Sequence, residues 1–308
     1  MAFEYNDCTL TKSQEELLET IENLQFPFEG ISKLKDLRGK MNLVVCVSEG
    51  IDWESYMSQY NALRGKFYGG KHAPACHRHQ GEIGYRRNFA EEQIRRTKEP
   101  REEFLPLLGI YSRTYKWWAG KHIPKIGLVS DSIKDYARKA NINEDIVFGF
   151  VFIQEMMHAY FDSCNNKGFP SIEPLEESFS EFGMLTFIDN FPDLRREFFP
   201  YALNYVISKI GKEPRGFGYG VELYTRVGED ATKLINRYRR ISSWTEPQFL
   251  KVRYNNDYFV NMRNYSFDPS EENAAIVFND VVGILDVDWE RPLDPIQPAI
   301  GEPWDFDN

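Results

Sequence analysis

Cysteine is scarce in this chain, and its positions are far apart. The 308 residues contain four cysteines, at positions 8, 46, 76 and 164, and no two of them have the C-x-x-C spacing. A fold that depends on disulfides needs a dense, ordered set of cysteines, so this class is excluded. A reducing, cytoplasmic location is therefore predicted.

Long hydrophobic runs are also missing. The longest apolar stretch, Ile146–Ile153, is far shorter than the roughly 20 residues that cross a bilayer. The first residues, MAFEYNDCTLTK, lack the apolar centre of a secretory signal. The sequence therefore predicts no membrane partner.

Positive charge is in deficit. The 37 Lys and Arg residues stand against 47 Asp and Glu residues, which gives a net charge of −10. The most basic segment, residues 86–101 (RRNFAEEQIRRTKEPR), is interrupted by glutamates, a pattern typical of a solvated helix face. A nucleic-acid partner, which requires clustered Lys and Arg, is not expected. Nothing in the sequence indicates the oligomeric state.

Large apolar side chains, by contrast, are plentiful: 42% of the residues are hydrophobic and 15% are aromatic, enough for a substantial core. We predict an α+β, mainly helical fold, with strands near residues 41–47, 107–112 and 126–129 forming a small sheet on a buried central helix. Residues 1–100 are predicted to be an N-terminal accessory portion, residues 101–245 the core, and residues 246–308 a C-terminal extension with an extended acidic tail. A helix over residues 217–240 is expected to be broken or kinked around Gly220 and Gly228.

The most informative segment is Gln154-Glu155-Met156-Met157-His158, in a helix that is apolar nearly all round. Residues four apart lie on one helix face, so Gln154 and His158 can address the same point. Glu155 is offset by one position, which suits a general base. Glu177 follows His158 after eighteen residues, inside a glutamate-rich predicted helix.

This pattern resembles the gluzincin metallopeptidases, whose signature is H-E-x-x-H, eighteen residues and then Glu. In the aminopeptidase branch of that family the glutamate lies in a sequence like L-N-E-G-F-A. The corresponding segment of this chain is Leu175–Ser180 (LEESFS). The resemblance implies a zincin-like fold. It assigns His158 as the second zinc ligand, Glu177 as the third and Glu155 as the general base. Gln154 stands at the position of the first ligand, where the family has histidine.

The resemblance also implies a tyrosine that stabilises the oxyanion, drawn from residues 201–224. Tyr219 is the predicted residue, with Tyr201, Tyr205 and Tyr224 as the other candidates. One further cluster, Cys76-His77-Arg78-His79, could fold over the site and replace the missing donor.

A neutral amide oxygen is a much weaker zinc donor than an imidazole nitrogen. The sequence therefore predicts a degenerate active site that does not catalyse a reaction and whose former cleft binds a peptide or protein. Zinc would have only a weakened ligand set, and no other cofactor is expected. The alternative is an active metal-dependent peptidase with an unusual ligand set. A third interpretation is an ordinary core helix in which Glu155 and His158 have no such role.

Overall fold

The computed structural model describes residues 10–48, 108–116, 121–164, 173–209, 219–227, 230–242, 260–261, 264 and 271–285. The helices of these ranges are α1 Lys12–Asn23, α2 Leu34–Met41, α3 Ser130–Ala140, α4 Glu144–Cys164, α5 Glu173–Asp189, α6 Pro192–Glu197, α7 Phe199–Lys209, α8 Tyr219–Val227, α9 Ala231–Ser242 and α10 Glu271–Leu285. The strands are β1 Val44–Ser48, β2 Gly109–Lys116 and β3 Lys121–Val129. The basic segment 86–101 and the acidic tail lie outside these ranges.

The three strands form one sheet in the order β1-β3-β2. β1 runs parallel to β3, and β2 runs antiparallel to it, so that Ile126 pairs with Val45 on one side and with Tyr111 on the other. All three strands were predicted, although β2 and β3 extend further than the sequence indicated. The architecture is thus α+β and mainly helical, as predicted.

Helix α4 lies at the centre of the core. It packs against the sheet through β2 and β3 and against helices on its other sides. Its fully buried apolar side chains lie on every face; they include Val147, Phe150, Phe152, Ile153, Met156 and Met157. Each side chain of this size stabilises the fold by about 1.5–3 kcal/mol on burial. A helix surrounded in this way holds any polar side chain it carries in a fixed, apolar setting.

The segment predicted as a helix broken or kinked around two glycines is described as two helices, α8 and α9. Gly220 is the second residue of α8, and the residues just before Tyr219 lie outside the described ranges, so an interruption there stays a prediction. The described part of α8 ends at Val227 and α9 begins at Ala231, while Gly228 lies outside the described ranges. Gly220 lies where α8 approaches α5 closely.

No helix among the described ranges is both long and apolar enough to cross a membrane.

Candidate functional site

Helix α4 buries two consecutive polar side chains at the middle of its length. Gln154 is 4% exposed and Glu155 is 5% exposed. One turn later on the Gln154 face comes His158, which is only partly buried. Buried polar groups are rare unless they are paired, so the partners of these side chains decide what the site can do.

Helix α5 supplies a carboxylate that contacts both residues of that face. Gln154 Nε2 donates a hydrogen bond to Glu177 Oε2 over 3.3 Å. His158 Nε2 lies 3.3 Å from Glu177 Oε1. Each oxygen of one carboxylate therefore accepts from a different α4 side chain, and the three residues form a single cluster. The structure thus brings together the three predicted metal-site residues, while their role as ligands stays a prediction.

The charges of this cluster support each other. Burial by itself would lower the pKa of His158, but the Glu177 carboxylate, by its charge and its hydrogen bond, and the charge of Glu155 outweigh this and raise that pKa to about 9. Burial by itself would raise the pKa of Glu177, but His158, Lys209 and Gln154 together hold that pKa below its ordinary value. At neutral pH the pair is an imidazolium and a carboxylate.

Glu155, the predicted general base, lies on a different side of α4, where the sheet packs. Burial, with a contribution from the charge of Glu177, raises the pKa of Glu155 to about 7; His158, Lys209 and a backbone hydrogen bond from Tyr111 oppose this rise. A Cβ placed on Gly109 would lie 2.7 Å from Val151 Cγ1 and 2.8 Å from Glu155 Oε1, so β2 passes very close to α4 at this glycine.

Tyr111 on β2 belongs to the site, although the sequence pattern did not single it out. Its ring is parallel to the imidazole of His158, with 2° between the planes and 6.3 Å between the centroids. Its hydroxyl donates a hydrogen bond to Asp162, one turn after His158 on α4. The only sequence signal was its position in a predicted strand, because the contact depends on how the sheet packs on α4.

A second buried ion pair lies one turn along α5. Lys209 Nζ, from the end of α7, is 3.1 Å from Glu181 Oε1. Tyr205 lies one turn earlier on α7, and Lys209 Nζ is 4.5 Å from the centroid of its ring. Neither Lys209 nor Glu181 was expected at the site. Lys209 lies on a helix whose placement the sequence alone does not give, and the family pattern on α5 singled out Glu177 but not Glu181.

The predicted oxyanion tyrosine cannot be placed in this geometry. Tyr219 opens α8, but its side chain falls outside what the structure describes. Among the other candidates, Tyr201 is exposed and Tyr205 is buried beside Lys209. Tyr224 packs against Phe199. The Cys76–His79 segment also lies outside the described ranges.

The donor set departs from that of a catalytic zinc site, which takes three ligands from the protein. Within the described ranges, no group of three or more His, Cys, Asp or Glu side chains is arranged to hold a metal. Gln154 directs its NH₂ group, a hydrogen-bond donor, towards Glu177. Of the three predicted positions, only His158 and Glu177 therefore carry side chains that bind zinc well.

The arrangement can hold separated charges in an apolar setting and can exchange a proton at Glu155 near neutral pH.

Comparisons of the chain with protein-family models, with curated proteins and with solved structures find no match.

Proposed function

We propose that this chain is a zincin-like metallopeptidase homologue with a degenerate active site, a pseudoenzyme that binds a peptide or protein segment in the former cleft. The supporting observation is the contact of both Gln154 and His158 with the two oxygens of Glu177. The positions that would surround a metal in a gluzincin are here joined directly to each other. Both oxygens of Glu177 are thus engaged by side chains of the protein itself.

The charges of the cluster argue against hydrolysis. A zinc ion would have to displace the proton of His158 and the hydrogen bond from Gln154 before it could bind Glu177. In return it would gain an amide oxygen, which is a weak ligand. Without a metal there is no Lewis acid at this position to polarise a peptide carbonyl or to activate water.

The position of β2 supports peptide binding. In the described part of the sheet β2 pairs with β3 alone, so it lies at an edge, and it also runs past Glu155 and His158. An edge strand presents backbone donors and acceptors to an extended segment, which can add to the sheet as a further strand. A peptide placed there would lie beside the cluster.

Metal content tests the loss of catalysis. Zinc in untreated wild-type protein, measured by elemental analysis, is expected to be far below one ion per chain. Gln154→His restores the missing nitrogen donor and should raise zinc affinity by more than the roughly 10- to 100-fold associated with an outer-shell partner. Stoichiometric zinc in the wild-type protein would overturn the proposal, and so would a Gln154→His variant that folds but binds none.

Peptide binding is tested by selection from a random decapeptide phage library on the immobilised protein. Glu176 is exposed, and its charge acts on His158. Selected peptides should bind Glu176→Lys at least 10-fold more weakly than wild type. Glu16→Lys, which reverses an exposed charge on α1, is the control and should bind them equally. Selected peptides that are insensitive to Glu176→Lys, or a library without enrichment, would contradict binding at this cleft.

An active metal-dependent peptidase remains the second candidate, because one observation favours it. The pKa of about 7 for buried Glu155 is in the range that suits a general base or acid. This candidate requires cleavage of a peptide library by the wild-type protein with added Zn²⁺, and loss of that cleavage in Glu155→Gln. We expect no cleavage that depends on Glu155.

A further inference from the structure

The lysine of the second ion pair is buried as deeply as core residues. Lys209 ends α7, a position from which a lysine can usually reach water. Here its side chain is only 10% exposed, and it contacts Glu181, which is fully buried. Its Nζ also lies 4.5 Å from the centre of the Tyr205 ring, whose π face attracts a cation.

The partner of Lys209 is directly connected to the degenerate motif. Glu181 follows Glu177 by four residues on α5, so both carboxylates project from one face of the helix. Glu177 is the acceptor for Gln154 and His158. Glu181 is fully buried and Glu177 partly buried, and two such carboxyl groups one turn apart repel each other when both are ionised, unless cations lie close to them.

The charge of Lys209 extends beyond its own ion pair. Against the effect of burial, Lys209 is among the groups that lower the pKa of Glu177, after His158, and it also opposes the rise at Glu155. Reciprocally, although burial alone would lower the pKa of Lys209, Tyr205 and the two α5 carboxylates raise it above the ordinary value for lysine. The lysine therefore stays charged inside the protein.

We propose that Lys209 is a positioning residue that serves as the fixed internal cation of this site, holding the carboxylate of Glu181 in place one turn from Glu177 without a metal ion. In a metallopeptidase site the positive charge would come from the metal. Here it comes from Lys209 on one side of the α5 carboxylates and from His158 on the other. The inference rests on the proposed function, because a metal-free site needs this charge from the chain itself.

The test compares Lys209→Met with Lys125→Met by thermal unfolding, with EDTA and with added ZnCl₂. Taken as whole residues, Lys209 and Lys125 both have 8% of their surface exposed, so Lys125 on β3 is a control matched for burial. In EDTA, Lys209→Met should lower the unfolding midpoint by about 5–15 °C, because it leaves Glu181 without the lysine. Zn²⁺ should recover at least half of this loss by a saturable response, because Glu181, no longer paired with the lysine, gives the ion a second carboxylate one turn from Glu177. Wild type and Lys125→Met should show no such response.

A second variant keeps the test decisive if Lys209→Met does not fold. Lys209→Met combined with Glu181→Gln removes one carboxylate together with the cation, and should regain most of the lost midpoint in EDTA. A double variant no more stable than Lys209→Met, or a Lys209→Met protein that folds but ignores Zn²⁺, overturns the inference. Zinc in untreated wild-type protein reports separately on the proposed function, so the two failures can be told apart.

Discussion

At the residue scale, the amide at position 154 alters what the α4 face can accept. A neutral histidine there would offer a lone pair, which a cation can bind. Gln154 offers an N–H group to Glu177, and a protonated His158 does the same from one turn away. Two hydrogen-bond donors on one face favour an acceptor between them. The carboxylate of Glu177 satisfies both from within the fold.

The charge of His158 makes the stability of the protein depend on pH. The carboxylates that face it are Glu177 and Glu176 of α5 and Glu155 of its own helix, and the ring of Tyr111 from β2 lies parallel to it. Its folded pKa of about 9 exceeds its ordinary 6.5, so this stabilisation is complete below pH 6.5 and is lost as the pH rises through 9.

Measured by urea denaturation, the free energy of unfolding of the wild-type protein should therefore lose up to about 3 kcal/mol between those two pH values. His158→Gln keeps a hydrogen-bond donor but cannot titrate, so its stability should change much less over the same interval. Parallel curves for the two proteins would show that His158 is not held protonated by the acids around it.

Glu155 gives a second prediction at this scale, in which stability is lost over a lower pH range than for His158. Its folded pKa of about 7 lies above its ordinary 4.5, so the fold favours the protonated form and stability falls as the pH rises from 4.5 through 7. Glu155→Gln, which cannot ionise, should be more stable than wild type by about 1–3 kcal/mol at pH 8 and should lose that advantage near pH 4.5.

Urea denaturation of both proteins at the two pH values checks this expectation. Glu16→Gln, on the exposed side of α1, serves as the control for the loss of one surface charge. If Glu155→Gln is less stable than wild type at pH 8, the carboxylate is stabilised by its surroundings and the raised pKa is wrong.

At the scale of elements, the site depends on how closely α8 approaches α5. A Cβ on Gly220 would lie 2.6 Å from the Cβ of Glu181 and 2.8 Å from the carbonyl oxygen of Ser178, and neither atom is the free end of a flexible chain. Gly220→Ala should therefore force the helices apart and lower the free energy of unfolding by about 1–3 kcal/mol.

Gly39 offers the matched comparison for this change. It is also helical, in α2, but a Cβ there meets nothing within 4 Å. Gly39→Ala should be neutral or stabilising by about 0.5–1 kcal/mol, because alanine loses less backbone freedom on folding. Equal effects of the two substitutions in urea denaturation would mean that the contact between α5 and α8 is not tight.

The elements show what local sequence can predict. The apolar run of α4 and the four-residue spacing of Gln154 and His158 specify a buried helix with one polar face, and both follow from residues close together in the chain. Lys209 and Gly220 could not be interpreted in this way. A lysine in the last turn of a helix is ordinarily solvated, and a glycine ordinarily interrupts a helix. Only the packing of α7 and α8 on α5 gives Lys209 and Gly220 other roles.

At the scale of the molecule, the core extends well beyond the motif. Phe26 and Leu34, from the first fifty residues, belong to the same buried cluster as α4 and α5. The start of α1 also bonds to the start of α4, where Gln14 donates to Glu144 over 3.3 Å. Whether residues 1–100 form a separable accessory portion stays a prediction, but the shared core leads us to expect that α1 unfolds together with the site.

Ile21 of α1 is fully buried in that cluster, so Ile21→Ala tests the expectation. A large-to-small change of this kind costs about 2–5 kcal/mol, and in a single cooperative unit that loss applies to every element at once. Amide hydrogen exchange should then show equal losses of protection in α1 and in the most protected amides of α4. The control, Thr20→Ala, changes an exposed position and should alter protection little in either helix. If protection falls in α1 while α4 keeps its wild-type rates, the N-terminal helices are an accessory layer that opens on its own, and the site does not depend on them.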